Sequence, residues 1–389
     1  MKTIFNIALA GVATVAWGCV GYEPMTPDTY EGEGLPPEVD LCEGCPEDQP
    51  LRGELMLIVN TKPTDGDANF TANFPIDAEG RYVGNALYLY DPSKPCADQG
   101  GCLSKLGNLW LDDKMGPISM ADQSLLRFTV RDLAWHAEKG LWGLSYDPLN
   151  DEWGLMTLGV PDWTRADNRI ESVRYAFKYG DVKDPATDAC YWRQSMTGLE
   201  FVGDALFAAS AGKPGNGLDA RGAVFELDPA FLAAPKHCVL PSDISKDPVY
   251  YACDPICSVH AEFEEKVGVS GDMAPGPDGD LLALVRGEMS DTFPEGRHEL
   301  LRVGTAAGAE PRAYGPFIED IPAGFEIEGL ARVQGALYAV GIGGTVYKIT
   351  EPTADAPTWR FEVHDELAPL FTDPDRSLRI RGATAVVVP

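Results

Sequence analysis

The chain has 389 residues, 44% of them hydrophobic and 23% charged, with 41 Gly and 31 Pro, which is the composition of a folded globular protein and excludes a disordered chain or a multi-span membrane protein. Its 31 Lys and Arg stand against 60 Asp and Glu, a formal net charge of -29. Such a field repels nucleic acid and anionic lipid surfaces, so no nucleic-acid partner is expected, and it favours a monomer.

Residues 1–18, MKTIFNIALAGVATVAWG, place Lys2 before an apolar run from Ile4 to Trp17 that is short for a bilayer span and reads as an export signal. The run ends at Cys19, with Gly18 before it and Ala16 three residues ahead. That arrangement resembles the lipobox of bacterial lipoproteins, with Ala16 where Leu is usual and Trp17 where a small residue is usual. The resemblance implies cleavage after Gly18, lipidation of the Cys19 thiol, and contact with the membrane through the lipid anchor only. An ordinary secretory signal cut near Ala16 is the other reading of these residues. Val20 follows where an inner-membrane retention signal would have Asp, so the cell envelope, at the outer membrane, is the expected address.

Residues 19–52 are rich in Asp, Glu and Pro and carry little apolar periodicity, the pattern of an extended, solvated tether. Cys42 and Cys45 form a lone CxxC within it, which in an exported chain reads as a local disulfide before a zinc site. Beyond Cys19 the cysteines number eight: Cys42, Cys45, Cys96, Cys102, Cys190, Cys238, Cys253 and Cys257. An even count in an oxidising compartment predicts four bridges. Close spacing in loops suggests Cys96 with Cys102 and Cys253 with Cys257, leaving Cys190 and Cys238 as a long-range pair.

Over residues 53–389, short β-type runs recur in a fixed order. Opening strands read DLAW from Asp132, GLEF from Gly198, DMAP from Asp272, GLAR from Gly329 and GATA from Gly382, about 53 to 74 residues apart. Second strands follow at Gly140, Asp204, Asp280 and Gly335, and third strands at Trp153, Gly222, Glu299 and Thr345. Fourth-strand candidates are IESVRYAFK from Ile170 and TWRFEVH from Thr358. The tail RGATAVVVP is an opening strand with nothing after it, while GELMLIVN from Gly53 and NALYLYDP from Asn85 are a second and a third strand without a first. The two ends therefore complete one unit between them. This repeat resembles the β-propeller superfamily, without the WD, kelch or Asp-box signatures of named families, and implies an all-β propeller of five blades closed by the C-terminal strand. A β-sandwich or β-solenoid is the alternative, but neither explains the matching C-terminal strand.

The propeller resemblance implies a ligand face at one end of the axis, where loops enter the opening strands. Arg131, Glu328 and Arg381 are predicted to gather at that channel mouth and to bind a partner protein, glycan or small ligand. The alternative is a hydrolase resembling the five-bladed glycosidases, with Asp132, Glu200 and Asp272 as base, stabiliser and acid. For metals, Asp65, Asp67 and Asn69 have the opening spacing of a calcium loop, but Phe70 replaces the turn glycine and Ile76 the bidentate Glu, leaving Asp77 adjacent. Calcium is thus the only cofactor to consider. HExxH, GxSxG and Walker A motifs are missing from the sequence.

Overall fold

The computed structural model describes residues 51–61, 86–94, 96, 101–111, 129–147, 152–163, 168–177, 196–211, 222–233, 259–263, 267–287, 298–306, 308–313, 326–370 and 379–389. The expected signal, residues 1–18, and all but the last two residues of the expected tether, 19–52, lie outside the described residues, every one of which belongs to one compact unit, Gln49–Pro389.

Its strands fall into five antiparallel groups of four. In chain order, β1 (Gly53–Asn60), β2 (Ala86–Tyr90) and β3 (Leu103–Leu111) open the first blade. The second is β4 (Thr129–His136), β5 (Gly140–Asp147), β6 (Glu152–Leu158) and β7 (Asn168–Phe177). The third is β8 (Met196–Val202), β9 (Ala205–Ser210), β10 (Ala223–Glu226) and β11 (Val259–Glu262), with a one-turn helix α1 (Pro229–Ala233) after β10. The fourth is β12 (Val267–Pro275), β13 (Leu281–Gly287), β14 (His298–Val303) and β15 (Arg312–Ala313). The fifth is β16 (Ile327–Val333), β17 (Ala336–Gly341), β18 (Thr345–Thr350) and β19 (Arg360–Glu366). Last comes β20 (Ile380–Val388), which pairs antiparallel with β1 from Gly53↔Val388 to Asn60↔Ile380 and completes the first blade as its innermost strand. The molecule is a five-bladed β-propeller closed by its C-terminal strand, as the repeat predicts.

Second strands such as ALFAAS and LLALV read as unbroken apolar runs because both faces are covered by neighbouring blades. The outermost β19 instead alternates, with Phe361 inward and Arg360 and Glu362 outward. Five apolar clusters result, one in each gap between blades; the last joins the fifth blade to the first through Met56, Ile58, Tyr90, Val340 and Ala383. At the end of the axis opposite the mouth, β8 and β16 return through two-residue turns, β4 through three residues and β12 through five. Between Val333 and Ala336, Gln334 and Gly335 both have positive φ, 52° and 76°, the geometry that matches strand twist in a tight hairpin.

One pairing falls outside the repeat. At the rim β3 runs parallel to β7, from Gly107↔Asn168 to Leu111↔Ser172, and fuses the first two blades into an eight-stranded sheet. Two outer edges that would otherwise stand open cover each other. The predicted Cys96–Cys102 disulfide is formed just before β3, with Cα atoms 4.9 Å apart. The other six predicted disulfide cysteines, with Cys19, lie outside the described residues.

Candidate functional site

The site is built by an irregularity that all five innermost strands share. Pairing with the second strand slips between Val130 and Asp132 in β4, Met196 and Gly198 in β8, Val269 and Met273 in β12, Ile327 and Gly329 in β16, and Ile380 and Gly382 in β20. In β4, β8, β16 and β20 the slip is one extra residue immediately ahead of Asp132, Gly198, Gly329 or Gly382, and in β12 it is a longer irregularity, Ser270 to Asp272, that contains Asp272 itself. A bulge leaves backbone groups outside the ladder and re-aims the side chains beside it. Here it does both.

The first consequence lies on the axis. At the residue after each bulge position, a backbone N–H leaves the strand ladder, and two carboxyl groups accept all five. Asp132 takes Leu133 N on Oδ1 at 2.8 Å and Leu199 N on Oδ2 at 2.5 Å. Asp272 takes Met273 N on Oδ1 at 2.6 Å, Leu330 N on Oδ2 at 2.9 Å, and the N–H of Ala383. The two side chains are also hydrogen-bonded to each other. Every innermost strand therefore either carries one of these carboxyls or donates to one. Both are completely buried, whereas Glu200, two residues beyond Gly198, is 3% exposed and accepts the N–H of the next residue, Phe201, on Oε1 at 2.8 Å.

Glycine at the other three equivalent positions makes the room. A Cβ at Gly382 would meet Asp132 Cα and Oδ1 at 2.5 Å, one at Gly329 would meet the Ala383 Cβ at 2.8 Å, and one at Gly198 the Met273 Cγ at 3.2 Å. The register D-G-D-G-G is thus a packing solution: two carboxyls fill the axis, Gly382 makes room for the Asp132 carboxyl, and Gly198 and Gly329 let neighbouring inner strands approach.

Electrostatics follow from burial. Desolvation holds the Asp132 carboxyl well above its usual range, and the neighbouring Asp272 adds to the effect. Burial raises Asp272 and Glu200 too, Glu200 also through the charge of Asp272. A hydrogen bond between two carboxyls requires a proton. With three N–H groups and the partner carboxyl converging on Asp272, the singly protonated pair has Asp132 as the acid and Asp272 as the anion.

The second consequence is the mouth. Arg131, Glu328 and Arg381 are themselves bulge residues, so three of the five bulges present a charged side chain at the same end of the axis. Arg381 Nη1 donates to Glu328 Oε1 at 2.7 Å, and Arg131 lies 5.5 Å from the centroid of the Tyr146 ring while acting on Glu328 through its charge. Burial raises the Glu328 carboxyl despite both guanidinium groups. The loop entries meet at this level: Thr61 N donates to Arg379 O, Ile380 N to Ile342 O, and Ile342 N to Glu326 O.

The structure thus brings Arg131, Glu328 and Arg381 together at the mouth, and Asp132, Asp272 and Glu200 together beneath it. In a glycosidase, two carboxyls stand about 5 to 10 Å apart with the scissile bond between them. Asp132 and Asp272 are in hydrogen-bond contact, without surface, and all four of their oxygens are occupied. The calcium candidates Asp65, Asp67, Asn69 and Asp77 lie outside the described residues, among which no group of three metal-ligating side chains assembles. Sequence reading missed the bulges, for an extra backbone residue carries no compositional mark. It also missed a second tie between blades, where the Tyr90 hydroxyl donates to Asp365 and His364 Nε2 lies 2.8 Å from Pro92 O.

Fold and site define a class: a five-bladed β-propeller whose axis is filled by two of its own carboxyls, with Arg131, Glu328 and Arg381 at one end of it. No protein-family model matches this chain, and no curated protein matches it. The crystal structure of a protein from Lactobacillus plantarum is similar over 80% of this chain and 81% of that one, with 13% identity and a TM-score of 0.36. The assignment of the fold rests on the strand order.

Proposed function

We propose that the protein is an exported, lipid-anchored binding protein of the bacterial envelope, held at the outer membrane through Cys19 and monomeric, and that its propeller recognises an acidic group on a glycan, peptide or small ligand at the channel mouth. The observation that carries the reading is the placement of Arg131, Glu328 and Arg381 on three bulges at one end of a closed axis. Guanidinium groups match carboxylate or phosphate geometry with paired donors, and Tyr146 beneath Arg131 keeps one of them in a fixed plane. Glu328 holds Arg381 and supplies an acceptor for hydroxyl or amide groups of the same ligand.

Recognition is favoured over hydrolysis because an acid and base must reach a substrate bond, and Asp132 and Asp272 have neither surface nor an unoccupied oxygen. The test is a thermal-shift screen of acidic sugars and carboxylated peptides on the soluble domain, with hits measured again on Arg131→Ala and Glu328→Ala. Loss of one charge-assisted contact corresponds to about a 10- to 100-fold weaker Kd for Arg131→Ala. A ligand whose affinity is unchanged in both variants binds elsewhere and overturns the assignment.

A further inference from the structure

We propose that the Asp132–Asp272 pair is a pH-sensitive lock on the propeller ring: one proton shared across the axis ties the five innermost strands together, and its loss at alkaline pH releases them. The argument is geometric. Asp132 belongs to β4 and accepts from β8, Asp272 belongs to β12 and accepts from β16 and β20, and the carboxyl–carboxyl bond joins the two sets. Remove the proton and that bond becomes a repulsion between two completely buried anions. Each anion still holds its own N–H donors, so the strands part into the group β4 with β8 and the group β12 with β16 and β20.

The surrounding charges do not relieve this. On the innermost strands the other titratable or charged groups are Arg131, His136, Glu200, Glu328, Arg332 and Arg381. Arg381 is held by Glu328, and Arg332 by Glu351 and the Pro275 carbonyl. Arg131 faces Tyr146 and Glu328, while His136 accepts from Glu138 N and Lys139 N in the hairpin turn at the far end of β4. Glu200 adds a third buried carboxyl on the inner side of the pair.

The sign of the effect is fixed by burial. Folded-state carboxyl pKa values raised above their unfolded values stabilise the fold at low pH, and that stabilisation is lost as pH rises through the folded values. The loss begins above the ordinary carboxyl range near about pH 4, continues through about 7, where Asp272 lies, and extends beyond it as Asp132 gives up the shared proton. Carboxylates that are paired or hydrogen-bonded as anions in a native state have lowered pKa values and stabilise it as pH rises. The lock works the other way.

The test is the melting temperature of the soluble domain between about pH 6 and pH 10 for wild type, Asp132→Asn and Asp272→Asn. An amide at 132 gives up one of the two N–H groups that Asp132 accepts and so starts from a lower melting temperature, but it has no proton to lose, and its melting temperature is expected to fall less steeply with alkaline pH than that of wild type. An amide at 272 turns a donor toward donors and is expected to melt lower at every pH. Equal slopes in wild type and Asp132→Asn overturn the lock. Should the Asp132→Asn chain fail to fold, infrared spectra of wild type decide: a protonated-carboxyl C=O band that persists near about pH 8 and disappears on alkaline melting is required, and its absence refutes the shared proton.

Discussion

Substituting Ala for Gly382 adds a single methyl group where the structure has no space for one. Its Cβ would stand 2.5 Å from both Cα and Oδ1 of Asp132 and 3.2 Å from the Arg131 carbonyl oxygen. Two of these three atoms are backbone, so β4 or β20 must move. Overpacking of a tight site costs about 1–3 kcal/mol. Moving Asp132 also disturbs its hold on Leu199 N, and one buried N–H left without an acceptor costs a further ~1–3 kcal/mol. The expected loss is therefore about 2–6 kcal/mol. For a unit the size of Gln49–Pro389, melting shifts by about 1.4 °C per kcal/mol, giving a drop of about 3–8 °C. Gly343→Ala is the control, since a Cβ there meets nothing within 4 Å and the position carries no positive φ. Urea unfolding with tryptophan fluorescence at one pH measures both variants. A Gly382→Ala protein within about 0.5 kcal/mol of the Gly343→Ala control would refute the close packing of the axis.

Three further outcomes are expected. Deleting Gly382–Pro389 removes most of β20, the partner of β1 and the source of the Ala383 N–H, and should give a protein that aggregates or lacks a cooperative transition; an unchanged melting curve would contradict closure by this strand. Replacing Cys96 and Cys102 together by Ser opens a small loop, with a sequence separation of 6, and should cost about 2 kcal/mol in urea unfolding, a loss the oxidised parent reproduces when reduced. Changing Cys19 to Ala should shift the protein from the membrane pellet to the soluble fraction of lysed cells; unchanged pelleting refutes the lipid anchor.

Much of the fold was legible because a propeller repeats its hydrophobic pattern. The opening strands at Asp132, Gly198, Asp272, Gly329 and Gly382 aligned without gaps, and the unmatched RGATAVVVP tail had only the start of the domain to pair with. The rim was less legible. β11 and β15 are four and two residues long, too short for alternation to show, and the parallel β3–β7 contact follows no repeat rule. At the site, convergence of the charged residues could be read from their register, but the chemistry of the axial pair could not. Asp132 and Asp272 resemble catalytic carboxylates in sequence because acid chemistry and anion-like capping of backbone N–H groups use the same side chain. Only the bulges distinguish the two, by turning five donors inward and leaving no oxygen over. The glycines at 198, 329 and 382 were the visible trace of this arrangement, since three of five equivalent positions lack a side chain where the other two carry an acid.

The most direct measurement is a crystal structure of the propeller at atomic resolution, taken near neutral pH. The account predicts the Asp132 and Asp272 carboxyls in hydrogen-bond contact, unequal C–O lengths in Asp132 that mark its proton, near-equal lengths in Asp272, and the N–H groups of Leu133, Leu199, Met273, Leu330 and Ala383 all directed at them. A water-filled shaft along the axis with the two carboxyls apart and both ionised would contradict it.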